Sequence, residues 1–359
     1  MKSKAAVLYQ YRTPLVVEEV EVLEPQQGEV LVKVFATGLC YSNYRAIQGH
    51  WKNTAPPVIL GDEGAGVVEQ VGEGVTMVKP GDHIVLSWLP HCRNCYYCNR
   101  GISVMCDRVN TVESSRFRKG EMVLNHAWSV SSFSEYTVIP ESGAILIKDD
   151  VPLDKAVLVG CAVPTGWGAV VNTAGAEAGS SVVIIGCGGV GLSAVMGAVT
   201  VGAEKIIAVD IRDNKLEMAR QFGATHTINS SREDPVAKVL EITEGRGADY
   251  AFDVIGIPEV MEQAFACIRK RGTAVMVGMP PDGTRISINT DLLFGERRVI
   301  GSVYGSIQPP VDIPRIIDLY MSGKLKLDQL ITKTYPIEKI NEGMEALLNG
   351  EVARALVKF

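Results

Sequence analysis

Between Ser181 and Met196 a strand, a glycine-rich turn and an apolar helix follow one another without interruption, and few folds accept that succession. SVVIIG (181–186) is a short β-branched run of the kind buried on both faces of a sheet. Gly186-Cys187-Gly188-Gly189-Val190-Gly191 satisfies G-x-G-x-x-G. In this context Gly186 permits the tight turn, Gly188 lets backbone approach a pyrophosphate, and Gly191 lets helix and strand pack closely. Gly189 and Val190 lead into a helix whose N-terminus faces phosphate charge. Asp210 closes the next strand, KIIAVD, where its carboxylate accepts from adenosine ribose hydroxyls and repels a 2′-phosphate. The expected cofactor is therefore NAD rather than NADP. Arg212 and Lys215 complicate that choice, reading either as cations able to serve a 2′-phosphate or as the solvated start of a helix.

Around this turn the chain alternates apolar strands (SVVIIG, KIIAVD, ADYAFDVIG, GTAVMVG) with amphipathic helices (NKLEMARQFG, DPVAKVLEIT, VMEQAFACIRK), the pattern of a parallel βαβ sheet. Residues 1 to about 150 read differently. VEEVEVLE, EVLVKVFATG, GAGVVEQVG and DHIVLSW are strands separated by Pro and Gly clusters, as in an all-β, barrel-like half. After about Tyr304 two helical segments lead to a last strand, ARALVKF, expected to rejoin the first half. A length of 359 residues suits two domains, and the net charge of −6 gives no electrostatic reason to bind nucleic acid or an anionic membrane. MKSKAAVLYQ lacks the apolar run of a signal peptide, and the apolar stretch from Ala156 to Val171 is too short and too interrupted by Gly and Pro to span a bilayer. A cytoplasmic location is expected, where eight cysteines read as metal ligands or buried thiols rather than disulfides.

Four of those cysteines stand at C-x2-C-x2-C-x7-C: Cys92, Cys95, Cys98 and Cys106. One loop can wrap four thiolates around a tetrahedral metal, and zinc is the expected occupant. With every position filled by sulfur the site has no vacancy for water, so its role is structural. An iron–sulfur cluster is the competing reading.

The cysteine lobe within a β-rich half, followed by GCGGVG and VDIRDNK, resembles the zinc-dependent alcohol dehydrogenases of the medium-chain dehydrogenase/reductase superfamily. The likeness extends to GLCYS around Cys40, GDEGAGVVEQVG, GCAVPTGWGAV around Cys161 and the C-terminal INEGMEALLNG…ARALVKF. It implies an α/β protein with a GroES-like β-barrel catalytic domain (residues 1–162 and 304–359, the zinc lobe at about 90–108) and a Rossmann doubly wound parallel sheet (163–303) that binds NAD. It also implies a catalytic zinc, with Cys40, Asp62 and Cys161 at the ligand positions. Asp62 stands where the family has histidine. Two thiolates and a carboxylate carry one more negative charge than two thiolates and an imidazole, so the metal is expected to be a weaker Lewis acid unless nearby cations compensate. The alternative for Asp62 is a carboxylate in a metal-free cleft.

By the same resemblance Glu63 is the acid behind the zinc, Ser42 the hydroxyl that takes the alcohol proton, Thr165 and Val190 packing for the nicotinamide, Lys215 an adenosine contact and Arg354 a pyrophosphate clamp. Trp88 matches a substrate-pocket aromatic. Arg45 occupies the place of a relay histidine and cannot shuttle protons, leaving water, ribose or His50 as the end of the relay. The function expected is zinc-assisted, NAD-dependent interconversion of a small-molecule alcohol with an aldehyde or ketone, in a homodimer or homotetramer that pairs through the strand near Val299–Tyr304. Two rivals remain at this point: a metal-independent NAD(P)H reductase of C=C or C=N bonds, and a nucleotide-binding protein without turnover.

Overall fold

The computed structural model describes residues 1–51, 54–108 and 115–359. Met1–Cys161 together with Gln308–Phe359 make one unit, and Ala162–Ile307 make the other.

In the first unit alternation builds a barrel. Lys2–Leu8, Val16–Val22, Phe117–Lys119, Met122–His126 and Val58–Ile59 close on one another in that order. Val20 and Val22 turn inward while Glu19 and Glu21 stay exposed. A second sheet runs Ala144–Leu146, His83–Leu86, Gly64–Val71, Glu29–Leu39, Arg354–Lys358 and Ile331–Pro336, with Tyr136–Pro140 also paired to Glu29–Leu39. The C-terminal strand thus returns as expected, lying antiparallel to Glu29–Leu39 with Thr37 opposite Val357.

The second unit is a six-stranded parallel sheet ordered His226–Asn229, Lys205–Asp210, Ser181–Ile185, Ala248–Asp253, Ile268–Met276, Arg298–Gly301. In chain order this is 3-2-1-4-5-6, the winding of a doubly wound sheet, and the switch point falls at the C-terminal end of Ser181–Ile185, where the glycine turn begins. The helix expected over VMEQAFACIRK stops earlier, at Cys267. Ile268 is wholly buried and extended, and it pairs with Ala248 as the first residue of the next strand. The expected strand after Val299 ends at Gly301, and Tyr304 belongs to a short helical turn. Among the described residues no single helix is long and apolar enough to cross a membrane.

One barrel histidine is locked in its neutral form. His126 stacks on Phe117 with ring centroids 5.7 Å apart, and its Nε2 lies 3.4 Å from Thr137 Oγ1, whose own hydrogen goes to the Val130 carbonyl at 2.6 Å. The ring must therefore donate from Nε2, leaving Nδ1 buried with no hydrogen-bond partner among the described residues. Burial, and then the Arg116 charge, push the pKa down to about 3. Above pH 6.5 the ring is neutral folded or unfolded; between 6.5 and about 3 only the unfolded chain takes up the proton, so stability falls as pH falls. Histidine NMR titration is expected to show His126 unprotonated at pH 5, and His126→Gln to flatten the loss of stability between pH 6.5 and 5. A midpoint above pH 6 would overturn this assignment.

Candidate active site

Three chain segments of the first unit bring Cys40, Asp62 and Cys161 together. Cys40 follows the Glu29–Leu39 strand in extended conformation and precedes the helix Tyr41–Ile47, so Ser42 and Asn43 occupy that helix's first turn. Asp62 follows Gly61, which turns the chain at φ +101°; a Cβ there would meet Ser132 Oγ at 2.5 Å and the Phe133 nitrogen at 2.7 Å. Cys161 ends the helical turn Val157–Gly160. The ligand atoms of all three lie within 4.8 Å of one another, and all three residues are buried.

Hydrogen bonds hold the group in place. Ser42 Oγ donates to Asp62 Oδ2 at 2.6 Å, Asn43 Nδ2 donates to Asp62 Oδ1 at 2.8 Å, and Cys161 Sγ lies 3.6 Å from Asp62 Oδ2. Behind them the Glu63 carbonyl accepts from the Gly38 N–H at 2.9 Å, Thr37 Oγ1 at 2.8 Å and Ser132 Oγ at 3.2 Å. The Glu63 side chain is fully buried and forms an ion pair with Arg354, which is 3% exposed.

The charges crowd one another. A hydrogen bond from Cys161, helped by the Arg354 charge, holds the Cys40 thiol well below its usual range. Cys161 is pushed well above it by that same bond to Cys40, by burial and by the Asp62 charge. Burial, then the Cys40 charge, raise Asp62 to about 6 against its hydrogen bonds from Ser42 and Asn43. A divalent cation among the three reverses this repulsion and lets all ionise, so two thiolates and a carboxylate at this spacing fit zinc.

The lobe also fits zinc. The sulfurs of Cys92, Cys95, Cys98 and Cys106 lie within 4.8 Å of one another, with Cys92 to Cys98 at 4.0 Å and Cys95 to Cys106 at 3.9 Å. A tetrahedron of 2.3 Å Zn–S bonds has sulfurs about 3.8 Å apart, whereas a disulfide needs about 2 Å. Backbone N–H groups of Cys98 and Asp107 pull Cys95 down to about 6, while burial and the neighbouring thiols push Cys98 up to about 12. Four such sulfurs ionise together only around a cation.

In the second unit Gly186 takes φ +105°. Gly188 is the N-cap of the helix Gly189–Val201 and is exposed, and among the described residues nothing lies within 4 Å of where its Cβ would stand. A Cβ on Gly191 would overlap the Gly186 carbonyl. Asp210 accepts the Cys187 N–H at 2.8 Å and the Arg212 N–H at 3.0 Å, which tie it to the glycine turn. Arg212 is exposed, Lys215 is buried, and Thr165 and Val190 are half-buried. The open helix end and the anchored acid fit a dinucleotide. Of the other sequence candidates, His50 is exposed, Trp51 packs edge-on against Trp128 at 5.8 Å, and Trp88 is half-buried. Sequence reading passed over Asn43, although its place in the same helical turn as Ser42 was a signal.

Residues 26–149 match the alcohol dehydrogenase GroES-like domain, and residues 189–322 match the zinc-binding dehydrogenase family. The chain is 39% identical to the class-3 alcohol dehydrogenase of Dictyostelium discoideum, covering 99% of this chain and 97% of that one. It is 40% identical to the NDMA-dependent alcohol dehydrogenase of Amycolatopsis methanolica, with 99% of both chains covered. The benzyl alcohol dehydrogenase structure from Acinetobacter calcoaceticus superposes with a TM-score of 0.95 at 34% identity, covering 100% of this chain and 99% of that one. The chain belongs to the zinc-dependent alcohol dehydrogenases. Like other alcohol dehydrogenases of this family it is an oxidoreductase, NAD-dependent and zinc-binding, and its fold is α/β with a GroES-like barrel.

In this dehydrogenase the two glycines differ in surroundings, Gly188 open and Gly191 packed against the Gly186 carbonyl, so their substitution is expected to separate cofactor contact from folding. Gly188→Ala is expected to leave thermal stability unchanged while weakening NADH binding by about tenfold or more, and Gly191→Ala to lower both. Fluorescence titration with NADH, paired with thermal melts, reads the two effects; full NADH affinity in Gly188→Ala would overturn the assignment of the turn to the pyrophosphate.

Proposed function

We propose that this alcohol dehydrogenase works at Cys40, Asp62 and Cys161 as ligands of a catalytic zinc, with Met1–Cys161 and Gln308–Phe359 as catalytic domain and Ala162–Ile307 as the NAD domain. The buried trio within 4.8 Å carries this reading. When bound, zinc supplies Lewis-acid polarisation of the substrate C–O group and NAD supplies the hydride acceptor.

The chain's own residues do the rest. Ser42 gives its hydrogen to Asp62, so its oxygen accepts the hydrogen bond of the substrate hydroxyl, and as it takes that proton it releases its own to water. Arg45 stays charged and ends any relay through its position. Glu63, held by Arg354, keeps a second carboxylate beside the metal ligands, and the two charges of that pair cancel locally. Asp210, fixed by backbone N–H groups, meets the adenosine ribose, and the Gly188–Gly191 turn meets the pyrophosphate. The lobe cysteines Cys92, Cys95, Cys98 and Cys106 hold the structural zinc.

The substrate class is a small alcohol or its carbonyl. The expected location is the cytoplasm, in keeping with eight free cysteines. The assembly proposed is a homodimer or homotetramer built on the sheet-edge strand Arg298–Gly301, near which Leu293 and Phe294 are exposed, Phe294 at 90%. Light scattering is expected to give twice or four times the chain mass, and a monomer would overturn the assembly.

Elemental mass spectrometry is expected to find two zincs per chain, falling to one in Asp62→Ala with loss of most NAD-linked alcohol oxidation. One zinc in both proteins, prepared without chelator, would overturn the zinc-centred reading in favour of a metal-independent reductase.

A further inference from the structure

Asn43 is fully buried beside the trio, and its amide has only one allowed orientation. The Gly61 N–H donates to it at 2.9 Å, so the atom facing Gly61 is the oxygen, and the NH2 group faces Asp62 Oδ1 at 2.8 Å. Asp62 Oδ1 is thereby taken up by the amide. Oδ2 is the oxygen that lies 3.6 Å from Cys161 Sγ, and it also accepts from Ser42 Oγ.

We infer that Asn43 is the positioning residue that makes an aspartate serve at position 62: it holds Oδ1, presents Oδ2 as a single-point metal ligand, and offsets the extra negative charge with a neutral donor. This rests on the metal-centred reading above. Two thiolates and a carboxylate around a divalent ion leave an excess negative charge, which a neutral amide donor relieves and an acid at position 43 would deepen. The reverse pairing fails for a different reason. A metal-ligating imidazole turns its other N–H toward an acceptor, and here it would meet the Asn43 NH2, donor against donor, while the amide oxygen is engaged by Gly61. A carboxylate at position 43 could accept the Gly61 N–H with one oxygen and an imidazole N–H with the other. Positions 43 and 62 are therefore a matched pair, amide with carboxylate in this chain and carboxylate with imidazole in the swapped form.

The test is a double-mutant cycle on the full chain, read by zinc content and by chelator competition for the second zinc. Asn43→Asp and Asp62→His are each expected to weaken that zinc by about 10–100-fold, and Asn43→Asp/Asp62→His to regain most of the loss. The lobe zinc stays bound in every variant and reports that the first unit is folded, and matching thermal melts of the metal-stripped proteins separate ligand positioning from a general packing defect. Wild-type affinity in Asn43→Asp, or no recovery in the double variant, would overturn the inference. A wild-type chain holding only the lobe zinc would instead overturn the metal-centred reading beneath it.

Discussion

The Glu63 carbonyl accepts from a strand N–H and two buried hydroxyls, those of Thr37 and Ser132, and the candidate site hangs from that junction. It fixes the segment, just ahead of the strand Gly64–Val71, on which Asp62 and Glu63 are neighbours. The same segment is closed from behind by Ser132 and Phe133, whose N–H groups bond the carbonyls of Gly61 and Leu60 at 3.2 and 3.0 Å. Gly61 is the one residue type that lets this happen, since any side chain would drive into Ser132 and Phe133. The wall itself is strained: Trp128, Ser129 and Ser131 all take positive φ, a conformation that persists only where surrounding bonds impose it. Ser131 supplies two of those bonds, accepting from the Ala127 N–H and donating to the Ile59 carbonyl.

On this frame sits an unusual density of buried ionisable groups. Cys40, Asp62, Cys161, Glu63 and Arg354 are all buried, and an unpaired charge there would cost several kcal/mol. Arg354 balances Glu63, and the trio is left needing a cation of its own. The lobe repeats the logic with four sulfurs and no vacancy. The two clusters differ in kind: the lobe offers four sulfurs, whereas the trio mixes sulfur with oxygen and offers three ligands, the set that the proposed catalytic role requires.

What was legible in the sequence was whatever is decided locally. GCGGVG announces itself because a turn, a close approach and a helix start are all set within six residues, and the lobe because its cysteines share one loop. Cys40, Asp62 and Cys161 are scattered along the chain and were reachable only through resemblance. Ser132 and the Glu63–Arg354 pair depend on which segments lie side by side, and no periodicity records that, whereas Asn43 was within reach as the neighbour of Ser42. The early end of the helix at Cys267 is of the same kind: Ile268 could continue a helix by pattern, but pairing with Ala248 draws it into the sheet.

The first unit is discontinuous, and that gives its assembly a direction in time. During synthesis the segment Ala162–Ile307 is complete while the strand Glu29–Leu39 still lacks its neighbour Arg354–Lys358. Until that strand is made, one edge of the sheet lacks its backbone partner and Glu63 lacks Arg354. The segment Ala162–Ile307 can fold as soon as it is made, whereas the first unit stays incomplete until Arg354–Lys358 follows. The strand Arg354–Lys358 is thus a latch that completes the sheet and the Glu63–Arg354 pair in one step.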